Sequence, residues 1–455
     1  MDIQDLRKVR RRLGKYLERF EGCIKMRATR RHLRTYVRGQ LSDLERKSVE
    51  PIALDRGVAP RTLQEFLSIH RWDHERMRDR LREIVVRDHG AENAVAVVDE
   101  TSFPKKGDKT AGVQRQYCGA RGKTENCVVT VHLGYATSDF HTILDGDLYL
   151  PKETWFEDRE RCREAGIPAE VVYRPKWQIA LDLLNRALDG GAPLRYLAAD
   201  EAYGMSSDFR QGVARRGLVY VVEIPRSVHG WTRRPRLARE TPGRRGRPRN
   251  APRLATGEKP SRPVADLRRR GGPKWRAYHI KDTEKGPVVW EARAWRFSMA
   301  RRGAPTGEEG WLIVARNTTD GEIKYFFSNA DASTPVELML SVAFSRWRIE
   351  RSFQDAKGQV GLDHFEVRNY LSLIRHLILS NVSLLFLMRE TQRLRGEKRP
   401  RVEPPAGPPC RGSTTRPDGL TPRNPTAIAA PGEANRVLAR TPPASRRQPP
   451  QTKVA

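Results

Sequence analysis

Ala94-Val-Ala-Val-Val-Asp99 is a short, unbroken apolar run, rich in β-branched residues, that stops at a carboxylate. Such a run reads as a strand covered on both faces of an α/β sheet, and ligand sites in these sheets lie just beyond the carboxyl ends of the strands. Leu194-Arg-Tyr-Leu-Ala-Ala-Asp200 repeats the pattern. Taken singly, a strand that ends in Asp also looks like a helix cap or a turn. The intervening sequence supplies the rest of a sheet. Residues 126–136 and 140–150 read as two strands antiparallel to the first, 176–187 as an amphipathic crossover helix, and 218–224 as a fifth strand. The expected fold class is therefore α/β, a mixed five-stranded sheet with helices, with Asp99 and Asp200 on strand ends.

A third acid lies on a helix. Phe344-Ser-Arg-Trp-Arg-Ile-Glu-Arg-Ser-Phe-Gln-Asp-Ala-Lys357 has helical spacing, which puts Arg346, Glu350 and Lys357 on one face and turns Phe344, Trp347 and Phe353 away to pack. One acid between two bases suits a carboxylate that holds a divalent cation beside a phosphate, the flanking cations meeting the other phosphate oxygens. The plainer alternative is an i,i+4 Arg–Glu pair on a solvated face.

Four blocks then line up in order: 98–107 (Val-Asp-Glu-Thr-Ser-Phe-Pro-Lys-Lys-Gly), 112–119 (Gly-Val-Gln-Arg-Gln-Tyr-Cys-Gly), 199–204 (Ala-Asp-Glu-Ala-Tyr-Gly), and Arg346-Trp-Arg-Ile-Glu350 with Lys357. Together they resemble the DDE transposases of bacterial insertion sequences, specifically the insertion sequence 701 family within the wider insertion sequence 4-like group, over about residues 37–388. That group carries Tyr, Arg, Glu and Lys on its last catalytic helix; here the Tyr position is Ala343. The resemblance implies an RNase H-like catalytic core interrupted by a β-rich insertion. It also implies Asp99, Asp200 and Glu350 as catalytic metal ligands for two Mg²⁺ ions, with Mn²⁺ able to substitute. The function so implied is a transposase that binds the ends of an insertion sequence and catalyses metal-dependent phosphodiester cleavage and strand transfer. Its partners would be double-stranded DNA, as terminal inverted repeats and as target, and a homodimer on DNA is one assembly this allows. The rival is a catalytically inactive transposase-derived or helix-turn-helix DNA-binding protein.

Charge points the same way. The 455 residues hold 85 Lys and Arg against 55 Asp and Glu, a net charge of +30. That surplus calls for a polyanionic partner. With no uninterrupted apolar run of about 18 residues, nucleic acid fits better than a membrane. The N-terminus is charged and resembles no secretory leader. Five scattered cysteines lack zinc-ligand spacing and suit a reduced cytoplasmic protein, which the resemblance implies to be bacterial and nucleoid-associated.

The organisation expected along the chain is as follows. Residues 1–90 form a helical DNA-binding domain with a helix-turn-helix at 47–67, which would present Arg61, Thr62 and Gln64 to the major groove. Residues 91–225 form the first part of the catalytic core, whose Gly- and Lys-rich loop 101–121 would bring Lys105, Lys106 and Arg115 to phosphates near the acids. Residues 226–330 form the β-rich insertion, where Gly243-Arg-Arg-Gly-Arg-Pro-Arg249 would lay Arg245 and Arg247 along DNA. Trp231, Trp275, Trp290, Trp295 and Trp311 are either core or stacking platforms. Residues 331–392 close the core with the Glu-bearing helix and a buried helix at 371–388, too short and too charged to span a membrane. The Pro- and Arg-rich stretch 393–455 is expected to be a disordered tail.

Overall fold

β1 (Ala94–Pro104) stands at the centre of the sheet, and its burial explains its composition. Its first half is parallel to β5 (Leu194–Ala199) on one side, with Val98 opposite Ala199. On the other side it is antiparallel to β3 (Lys123–Ala136) along its whole length. The strand therefore does not end at Asp99. Beyond that residue β5 is finished while β3 continues to pair, so polar Thr101 and Ser102 can follow the apolar run. The expected loop 101–121 accordingly contains the end of β1 and all of β2 (Gln114–Cys118), which pairs with β3.

In the computed structural model the described residues are 3–238, 253–267, 272–283 and 286–398. Arg245, Arg247 and residues from 399 onward lie outside them. β4 (His141–Leu148) is antiparallel to β3, and β6 (Val219–Glu223) is parallel to β5. The order β4-β3-β1-β5-β6 is the mixed five-stranded core read from the sequence. The sheet does not stop there. The insertion strands β7 (His229–Trp231), β8 (Arg262–Pro263), β9 (Arg276–Thr283), β10 (Gly286–Arg301), β11 (Ala304–Asn317) and β12 (Ile323–Ser328) extend it to twelve strands, because β12 pairs with β6. The insertion is thus hydrogen-bonded to the edge of the core, a contact that no local pattern reports.

The helices are α1 (Ile3–Glu18), α2 (Arg27–Gln40), α3 (Val49–Asp55), α4 (Pro60–Ser68), α5 (His74–His89), α6 (Arg159–Glu164), α7 (Lys176–Asp189), α8 (Glu201–Gly204), α9 (Ser207–Arg215), α10 (Val264–Leu267), α11 (Val336–Phe344), α12 (Trp347–Val360) and α13 (Tyr370–Lys398). The single helix expected over 344–357 is broken. α11 ends at Phe344, the Ser345 hydroxyl donates to the Val342 carbonyl, and the next turn closes by tighter bonds from Arg348 N to Ser345 O and Ile349 N to Arg346 O. α12 then ends at Gly361, whose φ of +70° suits glycine and lets the Leu362 amide reach back to Ala356 O.

α13 corrects two expectations. It runs six residues into the stretch read as tail, and its segment Tyr370–Gly396 is long and apolar enough to cross a membrane by length and composition. What argues against that role is packing: 89% of its apolar window is buried inside the protein. Its polar residues face the N-terminal helices. His376 Nδ1 meets the Tyr36 hydroxyl at 2.8 Å, the Gln40 amide donates to Ser380 Oγ at 2.9 Å, and Arg375 donates to the carbonyls of Leu67 at 3.1 Å and Trp72 at 3.3 Å.

Candidate active site

Because Val98 is opposite Ala199 in parallel register, the residues that follow them, Asp99 within β1 and Asp200 just past β5, fall at about the same level of the sheet. Asp200 caps α8: its Oδ1 accepts the amides of Ala202 at 3.0 Å and Tyr203 at 3.3 Å. α8 lies so close to β6 that a Cβ on Gly204 would stand 1.9 Å from the Glu223 carbonyl oxygen, which accounts for the glycine in the 199–204 block. Asp99 is nearly enclosed, at 9% exposure, and its Oδ1 accepts the Glu100 amide at 2.8 Å.

Glu350 comes from a helix, in the first turn of α12. Arg346 joins it to Asp99: Nη1 lies 3.1 Å from Asp99 Oδ2 and Nη2 lies 2.6 Å from Glu350 Oε1. Burial works against the charge on Arg346, but Asp99, Glu350, Glu223 and Asp200 outweigh it and hold its pKa above the ordinary value. Asp99 carries the opposite strain. Burial, partly offset by Arg346 and reinforced by Asp200 and Glu350, pushes its carboxyl up to about 7.

Among the described residues, no three His, Cys, Asp or Glu side chains are gathered closely enough to hold a metal ion. The expected joint site of three acids is therefore only partly assembled, for a visible reason: the Arg346 guanidinium lies between two of them. The donor set nevertheless fits a hard divalent cation. All the donors are carboxylate oxygens, and Mg²⁺ is ordinarily held by one or two carboxylates together with water and substrate phosphates.

The expected phosphate contacts divide. Lys357 is half-buried beneath α12, with Nζ 3.4 Å from the Ser102 carbonyl and 5.4 Å from the Phe103 ring centroid, and burial lowers its pKa. Like Arg346, which caps the start of α12, it reaches a residue of β1. Lys105 turns inward instead: it donates to the Phe365 carbonyl at 2.6 Å, sits 3.4 Å over that residue's ring, and is pulled down to about 8 by desolvation. Lys106 and Arg115 are exposed. α3 and α4 form a helix pair joined through Gly57, and Arg61 and Gln64 are exposed on α4, with Arg61 paired to Glu65 at 2.8 Å.

The tryptophans resolve mostly as packing. Trp231 and Trp290 are buried, and Trp275 and Trp311 lie against arginines, with Arg293 and Arg296 at 4.7 Å and 5.3 Å from the respective ring centroids. Trp347, expected to pack, is instead exposed at 38%, with Lys281 4.0 Å over its ring, because the break before α12 rotates it outward. Three neighbours of the acids were not singled out from the sequence. Glu100 pairs with Lys176 at 2.8 Å, Glu223 pairs with Lys324 at 2.9 Å, and Tyr203 is buried behind Asp200. Glu100 and Tyr203 had a signal, their places in the 98–107 and 199–204 blocks, and Glu223 had none. The four described cysteines are free thiols.

Comparison with known proteins bears on the same residues. The profile of a family described as DDE superfamily endonuclease matches residues 19–287, which include Asp99 and Asp200 but end before Glu350. A probable transposase for insertion sequence element IS701, from Microchaete diplosiphon, is 32% identical over 193 residues, 42% of this chain and 47% of that protein. The match thus spans about half the length of that relative.

Proposed function

We propose that this chain, which belongs to the DDE superfamily of endonucleases, acts as the transposase of an insertion sequence, binding the element's DNA ends and catalysing divalent-metal-dependent cleavage and strand transfer. The observation that carries the reading is the convergence of Asp99 and Asp200 at one level of the sheet, with Glu350 tied to Asp99 through Arg346. Asp99, Asp200 and Glu350 would hold Mg²⁺, or Mn²⁺ in its place. Bound there, two divalent ions supply activation of water or of a DNA 3′ hydroxyl and stabilisation of the leaving oxygen.

The chain's own residues do the remaining work. Asp200 is fixed by the α8 amides before any substrate arrives, so its carboxylate needs little reorganisation. Arg346, held between two acids, is placed to pass from the carboxylates to a phosphate oxygen when the acids turn to a cation. Lys357 stands further along α12 to steady the flanking phosphate. Lys106 and Arg115 extend the cationic margin, and Arg61 and Gln64 of α4 offer a separate contact with double-stranded DNA.

The deciding experiment is Mg²⁺- or Mn²⁺-dependent nicking of DNA carrying the element's terminal inverted repeats, with Asp200→Asn as the control. That variant is expected to lose cleavage and keep end binding at low salt, since cations on the protein hold the DNA. The second reading, a DNA-binding protein without catalysis, draws on the ungathered acids and on Ala343. Tight end binding without metal-dependent nicking by the unaltered protein would establish it instead.

A further inference from the structure

Tyr203 is 2% exposed, yet its hydroxyl has no hydrogen-bond partner among the described residues. Its ring packs against Phe209 at 5.2 Å between centroids, and its own amide donates to Asp200 Oδ1. Phenylalanine would fill the same space without a polar atom to desolvate. A buried hydroxyl with no partner works against folding, so its presence beside three carboxylates calls for an explanation outside stability.

The electrostatic surroundings define what this hydroxyl can do. Burial first, then Glu100, Asp200 and Asp99, keep the phenol's pKa well above its ordinary value, so the group is a neutral donor surrounded by acceptors. Most nearby acceptors are already engaged. Asp99 Oδ1 takes the Glu100 amide and Oδ2 takes Arg346, Glu100 Oε1 takes Lys176, and Asp200 Oδ1 takes two amides. Asp200 Oδ2 and Glu100 Oε2 have no hydrogen bond among the described residues, and of the two Asp200 is the residue placed above as a metal ligand.

We propose that the Tyr203 hydroxyl is a positioning donor for Asp200 Oδ2, engaged when the acids adopt their cation- and DNA-bound arrangement. The inference rests on the function proposed above. A hydrogen bond there orients the carboxylate so that its ligating lone pair is aimed before the cation arrives. Groups that orient metal ligands in this way are commonly worth roughly 10- to 100-fold in metal affinity or activity.

The test is Tyr203→Phe in the full chain, read in three ways: melting temperature without divalent ions, a binding isotherm for MnCl₂, and single-turnover cleavage of a terminal-repeat duplex. The expected result is an unchanged or higher melting temperature, with Mn²⁺ affinity and cleavage each lower by about 10-fold or more. Unaltered Mn²⁺ affinity and cleavage would overturn the assignment. So would a lower melting temperature with cleavage per folded molecule intact, since the hydroxyl would then serve packing. If the unaltered protein neither bound Mn²⁺ nor cut DNA, the function itself would fail, which is a different result from failure of Tyr203 alone.

Discussion

At the scale of single residues, Asp99 is the most informative group, because its environment opposes the charge its proposed role requires. Its carboxyl is pushed from an ordinary 3.8 up to about 7, so between those values the folded protein binds a proton that the unfolded chain releases. Stability in the absence of divalent ions should therefore fall as pH rises from about 4 to 7 and then level off. Asp99→Asn removes that penalty. Above pH 7 the variant should be more stable than the unaltered protein, by an amount on the order of 4 kcal/mol, and near pH 4 the two should be alike. Denaturant melts at both pH values check this; an advantage at pH 4 equal to that at pH 8 would show that charge is not the cause. Arg346→Gln acts in the other direction, leaving the buried Asp99 carboxylate without its counter-charge. It should lower stability at pH 8 by about 1–3 kcal/mol and at pH 4 by much less, which the same melts would show.

The elements explain how distant stretches reach those residues. α8 approaches β6 closely only because position 204 has no side chain, so Gly204→Ala must push Asp200 and its capping amides away from the sheet. Cleavage should fall at least about 10-fold even where the protein still folds, since a displacement near 1 Å at a reacting centre costs that much or more; single-turnover rates measure it. α13 plays the corresponding part for the N-terminal helices. Arg375 is buried and donates to carbonyls of Leu67 and Trp72, its guanidinium 4.6 Å over the Trp72 ring. Arg375→Met should cost about 2–3 kcal/mol through the carbonyls left unpaired, a loss visible in the urea midpoint. In the sequence this arginine only interrupts an apolar run; in the structure it explains how that run serves as a core helix.

For the whole molecule, the +30 net charge predicts DNA binding that weakens steeply with salt, and Asp200→Asn should leave that slope unchanged because it removes no phosphate contact. Filter binding across a salt series tests the expectation. Much of the architecture is written locally. Burial on two faces leaves an apolar run, so β1 and β5, with Asp99 and Asp200 directly after those runs, were legible, as were the other strands of the core and the helix that carries Glu350 and Lys357. These signals survive in sequence because each follows from the period of one element against one layer of core. Other features depend on which elements meet. The continuation of β1 past Asp99 needs β3 alongside it, and the union of insertion and core into one sheet needs β12 to find β6. The break between α11 and α12 turns Trp347 outward, and the placing of Arg346 between Asp99 and Glu350 joins residues 247 apart in the chain. No period in a sequence encodes a contact of that range, because its energy comes from a partner supplied only by the folded chain.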